Sequence, residues 1–204
     1  MNLVLITSVV NTRSGQGIYS SEERLNQLIN DTIRSLIKFI PNCYIVLLEG
    51  SNLSEDQKNS IVESGVDEIF FTETSNMQKS YGEISLIYSY LSSDSFHNLE
   101  SKIETISKIS GRYYLVEGFD FEKIQSNNVI KKDHSRQVCE TRFYKLVYND
   151  LGRYKEGLRK LFTDGIKIDL EHSFYEYNII DCVVDYERIY LSGYQAPAGD
   201  FIED

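Results

Sequence analysis

From Leu3 to Phe71 the chain alternates between two hydrophobic periods, and this alternation restricts it to an α/β architecture. Leu3–Val10 is a nearly continuous apolar run rich in β-branched residues, the pattern of a strand covered on both faces. Ser20-Ser21-Glu22-Glu23 then offers a capping box, with Ser20 at the N-cap and Glu23 at N3. Leu25, Leu28, Ile29, Ile33, Leu36, Ile37 and Ile40 recur at helical spacing until Pro41 stops the helix. Tyr44–Leu48 is a second strand. Ser54 opens a second capped helix that Gly65 closes, and Glu68–Phe71 is a third strand. Strand and helix in strict alternation predict a parallel, doubly wound sheet.

Beyond residue 71 the alternation is lost. Gly82–Leu91, Arg153–Phe162 and Leu170–Ile179 read as helices; Ile103–Ile109, Val138–Tyr148 and Arg188–Gly193 read as strands. The expectation is therefore a mixed sheet in the second half, within one domain over 1–204, since no repeat or low-complexity linker divides the chain. No apolar run approaches the roughly 20 residues that span a bilayer. The opening Met1–Ile6 has no basic stretch before it and reads as a strand, not a signal peptide. Cys43, Cys139 and Cys182 are odd in number and widely spaced. They suit neither a disulfide framework nor a zinc site, and imply reduced thiols in the cytoplasm.

A formal net charge of −10 argues against general nucleic-acid binding. Yet residues 102–167 hold 14 basic and 9 acidic side chains, leaving 7 basic and 22 acidic elsewhere. A locally basic stretch in an acidic chain suits a small phosphate-bearing ligand, with a solvated mixed surface as the plain alternative.

Ligands of open α/β sheets bind beyond the carboxyl ends of the strands, so those positions are the ones to inspect. After the first strand come Thr7, Ser8, Asn11 and Arg13, followed by Arg24 in the opening turns of the helix. Arginines at such a place favour phosphate, although Arg24 alone equally fits the solvent face of an amphipathic helix. Glu49 follows five apolar or aromatic residues and can accept hydrogen bonds from a ribose or base, or stand as a loop charge. Two polar clusters stand out: Asn76–Glu83 before a helix, and Lys108-Ile109-Ser110-Gly111-Arg112-Tyr113 closing a strand. In the second, Gly111 lets backbone approach a ligand, and Lys108 and Arg112 can neutralise a diphosphate. A β-bulge with two solvated cations is the competing explanation.

Thr7-Ser8, Glu22-Glu23-Arg24-Leu25, Lys79-Ser80-Tyr81-Gly82-Glu83, Lys108–Tyr113 and the closing Gly193–Gly199 together resemble small GT-A-type glycosyltransferases of viruses, phages and surface-polysaccharide gene clusters. The resemblance implies a nucleotide-binding half (1–115) and an acceptor-side half (116–204) sharing one continuous sheet. It implies a nucleotide-sugar donor and a glycan or other hydroxyl acceptor. Thr7, Ser8, Arg13, Arg24 and Glu49 would line the nucleotide pocket. Lys79, Gly82, Glu83, Lys108, Ser110, Gly111 and Arg112 would surround the diphosphate and sugar. Many such enzymes hold Mn²⁺ or Mg²⁺ with Asp-x-Asp, which this sequence lacks. Asp120-Phe121-Glu122 and Asp185-Tyr186-Glu187 are the nearest substitutes, and Glu171-His172 offers a late metal or diphosphate contact, with His172 a further metal candidate. Solvated acids and a structural histidine are the plain alternatives, and Lys108 and Arg112 can replace the ion.

Transfer needs the leaving diphosphate stabilised, and inverting transfer needs a carboxylate base. Lys79, Lys108 and Arg112 are candidates for the first task; Glu83, Glu117 and Asp120 all remain open for the second. No Gly-x-x-x-x-Gly-Lys loop, Gly-x-Gly-x-x-Gly or Gly-x-Ser-x-Gly is present, which lowers kinase, dehydrogenase and α/β-hydrolase readings. A sugar nucleotidyltransferase is the enzyme alternative, faintly echoed in Arg13-Ser14-Gly15-Gln16-Gly17; a non-catalytic binding module with the same fold is the other.

Overall fold

A computed structural model describes residues 1–12, 19–74, 76–181, 188–195 and 200–203. Arg13 and its glycine-bearing loop, Cys182, Asp185-Tyr186-Glu187 and Ala196–Gly199 lie outside the described residues.

Strand β1 (Asn2–Ser8) leads to a helix over residues 21–39 made of α1 (Ser21–Gln27), a π-helical turn (Leu28–Ile33) and α2 (Arg34–Phe39). The capping box at its start is formed: Glu23 N–H donates to Ser20 Oγ at 3.2 Å, and Ser20 N–H to Glu23 at 2.7 Å. Next come β2 (Cys43–Glu49), α3 (Glu55–Glu63), β3 (Glu68–Phe71), α4 (Lys79–Leu91) and α5 (Asp94–Leu99). The second half contributes β4 (Thr105–Ser110), β5 (Tyr113–Leu115), α6 (Phe121–Ile124), β6 (Val129–Asp133) and β7 (Val138–Val147). It ends with α7 (Leu151–Thr163), α8 (Leu170–Glu176), β8 (Leu191–Gln195) and β9 (Asp200–Glu203).

The main sheet has the order β3-β2-β1-β4-β7-β6. β1–β4 run parallel, whereas β7 is antiparallel to both β4 and β6. The expected change from a parallel half to a mixed one is present. Strand alternation feeds two cores. Leu3, Leu5, Val46, Leu48 and Ile106 face α4, α5, α7 and α8; Val4, Ile6, Ile45, Leu47 and Ile109 face the 21–39 helix and α3. No described helix is long and apolar enough to cross a membrane.

A second, antiparallel sheet, β5-β8-β9, leans on the 21–39 helix. Its β5 pairs with β8 along one edge, and the helix supplies hydroxyl partners to the strand. Thr32 Oγ1 donates to Tyr113 O at 2.9 Å, and Ser35 Oγ accepts from Leu115 N–H at 3.0 Å. Thr32 sits in the π-helical turn, so that irregular turn delivers a buried hydroxyl to a strand that would otherwise hold unmet backbone groups.

Lys145 on β7 is fully buried and donates to Gln125 O (3.0 Å) and Asn127 O (2.6 Å), tying down the loop between α6 and β6. Burial lowers its pKa to about 8 from 10.5. Between those values the unfolded chain binds the extra proton, so folding stability rises with pH across that window. A Lys145→Met variant is expected to show a shallower rise from pH 8 to 10 in chemical-denaturation series. An unchanged slope would assign the rise to other groups.

Candidate functional site

In the order β3-β2-β1-β4 the chain reverses direction of travel between β1 and β4, and such a switch point opens a crevice at the carboxyl ends of the two strands. β1 ends there at Ser8, and β4 at Ser110, followed by Gly111 and Arg112. Two of the five segments that carried the resemblance, Thr7-Ser8 and Lys108–Tyr113, thus meet at one edge, with different side chains on the two faces of the sheet.

On the face of the 21–39 helix lies Glu49, fully buried at the end of β2. One carboxylate oxygen accepts from Val10 N–H (2.9 Å), Ser51 N–H (3.0 Å) and the Ser51 hydroxyl. The other, Oε2, is buried and receives no hydrogen bond in good geometry, although the Ser8 hydroxyl lies close. Burial drives the carboxyl pKa up against the pull of these donors. The Arg24 guanidinium is near enough to feel Glu49 and Arg112. Its pKa is lowered chiefly by burial and next by the positive charge of Arg112, while Glu49 acts the other way. Arg24 Nε also donates to Tyr19 O at 3.3 Å. Two arginines from separate elements are therefore near enough at the switch point to act on each other electrostatically.

Gly111 has a role other than the one expected from sequence. Its N–H extends the ladder to Thr7 O at 2.9 Å, and a side chain there would meet Leu28 Cδ1 at 3.3 Å and Ile6 Cγ2 and Ser8 Cβ at 3.4 Å. The missing side chain lets the chain turn over the helix and β1, and it is protein, not ligand, that approaches. Gly82 is likewise buried, with Thr74 as its nearest neighbour. Thr7 is buried in β1.

On the other face Lys108 is 1% exposed. Its ammonium donates to the Glu83 carboxylate, to Ser110 Oγ at 2.8 Å and to Thr141 O at 2.7 Å, and lies 5.7 Å from the Tyr144 ring centroid. Its donors are committed to protein, so the expectation of a solvent-facing cation for a diphosphate is corrected here. Burial lowers the Lys108 pKa, opposed by Glu83 and then Glu171. Thr141 Oγ1 donates to Glu171 at 3.0 Å, carrying the network to α8. Lys79 is exposed on the first turn of α4 and near enough to oppose the Lys108 charge.

The remaining candidates stand elsewhere. Asp120 caps α6, accepting from Glu122 N–H (3.1 Å) and Lys123 N–H (3.4 Å). His172 Nδ1 lies 2.7 Å from Asp169, the residue capping α8. Glu117 is exposed and paired with Lys38. No trio of His, Cys, Asp or Glu among the described residues is placed to hold a divalent cation, and Asp120 and His172 make these hydrogen bonds within their own helix caps.

Sequence reasoning missed Tyr113, Glu171 as a network member, and Arg142. Arg112 and Arg142 both approach the Tyr113 ring, their guanidinium carbons 5.9 and 5.7 Å from its centroid. An arginine within the aromatic-rich β7 was the available signal.

No family model and no curated protein matches the chain.

Proposed function

We propose that the protein is a glycosyltransferase that uses a nucleotide-sugar, with a GT-A-type arrangement of a nucleotide-binding half and an acceptor-side half. The carrying observation is the Arg24–Arg112 pair beside buried Glu49 at the switch point of the sheet. Two neighbouring guanidinium charges suit a diphosphate, which Arg112 can grip with two parallel hydrogen bonds. In this reading Arg24 and Arg112 stabilise charge as the bond from the anomeric carbon to the diphosphate breaks.

Of the three carboxylates considered for the base, Glu83 fits best. Glu117 is tied to Lys38 on the surface, and Asp120 to a helix cap. Glu83 is partly buried at the same edge, and its contact with Lys108 holds the carboxylate in place, oriented to take the acceptor hydroxyl proton.

A thermal-shift screen against nucleoside diphosphates and nucleotide-sugars, with and without Mn²⁺, tests the proposal. At 100 times its dissociation constant a ligand adds about 2.7 kcal/mol of stability, roughly 5 to 10 °C for a chain of this size. A shift selective for one nucleotide family is the expected result. No shift at millimolar concentration with any of them rejects the transferase and favours a binding module.

A further inference from the structure

Arg112 is bracketed by two contacts with the helix that carries Arg24. The residue before it, Gly111, lies against that helix, where a side chain would meet Leu28 Cδ1 at 3.3 Å. The residue after it, Tyr113, gives its carbonyl to Thr32 Oγ1 at 2.9 Å. Arg24, Leu28 and Thr32 follow one another at intervals of four, which makes them neighbours along one face of the helix. The segment that carries Arg112 therefore rests on the face that carries Arg24.

The strand ladder leaves this contact to Thr32. Arg112 O accepts from Tyr194 N–H, and Val116 N–H donates to Tyr190 O. Alternate residues of an antiparallel pair turn their backbone groups to the partner strand, so those of Tyr113 and Leu115 point away from β8, toward the helix. Thr32 serves the Tyr113 carbonyl, and Ser35 serves the Leu115 N–H at 3.0 Å. The two hydroxyls do like structural work, but only Thr32 holds the residue next to Arg112. Thr32 is fully buried, so it acts on a ligand only through what it holds. It stands in the π-helical turn Leu28–Ile33, a rare form that recurs at functional sites.

We infer that Thr32 is a positioning residue: through the Tyr113 carbonyl it sets where Arg112 stands relative to Arg24, and so how the pair receives a diphosphate. The inference rests on the nucleotide-sugar reading above and names what keeps that site in register.

Titration calorimetry with UDP, GDP, CDP, ADP and dTDP identifies the diphosphate that the wild type binds, and the variants are compared on that ligand. Thr32→Val keeps the shape and loses the donor. It is expected to bind about tenfold more weakly, as when one of the two hydrogen bonds from Arg112 is lost. Thr32→Ser, which restores the hydroxyl, should bind within about twofold of wild type. Ser35→Ala also deprives β5 of a hydroxyl partner and should lower Tm by a similar amount, yet leave affinity within about twofold. Wild-type affinity in Thr32→Val overturns the inference. So does a loss shared equally by Ser35→Ala, or one that Thr32→Ser does not repair, since either reduces Thr32 to a structural role. In each of these cases the nucleotide reading stands. Binding of none of the five by the wild type removes that reading and the inference with it. Should Thr32→Val fail to fold, Thr32→Cys, whose thiol is a weaker donor, decides in its place: weakened binding supports the inference, and wild-type affinity overturns it.

Discussion

Lys108→Met is expected to destabilise the protein by about 3 to 5 kcal/mol, the usual cost of removing one partner from a buried ion pair. For a chain of this length that is roughly 6 to 20 °C in Tm. The size of the effect follows from what the ammonium holds. Its loss leaves Glu83, whose side chain is 15% exposed, with a charge no longer opposed. Ser110 Oγ and Thr141 O lose their donor in the same step. An exposed pair supplies the contrast: Lys58 and Glu55 are 2.7 Å apart but 46% and 81% exposed. Lys58→Met should cost no more than about 1 kcal/mol, because water already screens both charges. A further variant separates a charge effect from a packing effect. Lys108→Met with Glu83→Leu removes both charges, and should recover much of the loss if the unopposed carboxylate causes it. Thermal and urea melts of the three proteins check this. A Lys108→Met protein that melts like wild type would mean that Lys108 carries no structural charge, returning it to the ligand-facing role expected from sequence.

That role was a reasonable expectation, and its failure marks where sequence legibility ends. Burial on both faces writes a continuous apolar run into a strand, so β1 and β2 were visible from sequence alone, and the short edge strand β3 was visible from its place in the alternation. Helix caps are equally local: the capping box read at Ser20 is formed, and the cap read at Ser54 is a capping box with Gln57. Lys108 is different, because its meaning depends on Glu83, 25 positions earlier, and Thr141, 33 positions later. A lysine among apolar strand residues looks the same whether it faces ligand or a buried carboxylate. Short elements fail for a related reason. β5 has only three residues and pairs with β8 near the far end of the chain, while Thr32 and Ser35 reach it from another helix. No period can be recognised in three residues. Arg142 hid in the same way, since the ring it approaches lies 29 positions away in sequence. The carboxyl ends of the strands were legible as the place to look, whereas the reversal between β1 and β4 is visible only in the strand order. Which of its cations face outward was not.

Arg112→Ala is expected to leave the fold intact and weaken nucleotide binding about a hundredfold or more. The backbone of residue 112 performs its structural work: the N–H donates to Ser110 O at 2.8 Å, and the carbonyl accepts from Tyr194 N–H at 3.3 Å. Alanine keeps both. The side chain contributes its approach to the Tyr113 ring and its repulsion of Arg24. Truncation relieves that repulsion, so the ligand-free variant should melt near the wild-type temperature. Binding is another matter. A guanidinium gripping a diphosphate makes two charge-assisted hydrogen bonds, and at about 1.5 kcal/mol each their loss approaches a factor of about 100. Lys79 is exposed on α4, but an ammonium on a flexible stem does not reproduce the planar fork of arginine. Titration calorimetry with whichever nucleoside diphosphate gives the thermal shift, paired with a melt of the free variant, separates the two effects. A normal melt with lost affinity assigns the diphosphate to the arginine pair. Affinity within about threefold of wild type would move the anion away from Arg112, and the switch-point crevice would lose its strongest claim to be the donor site.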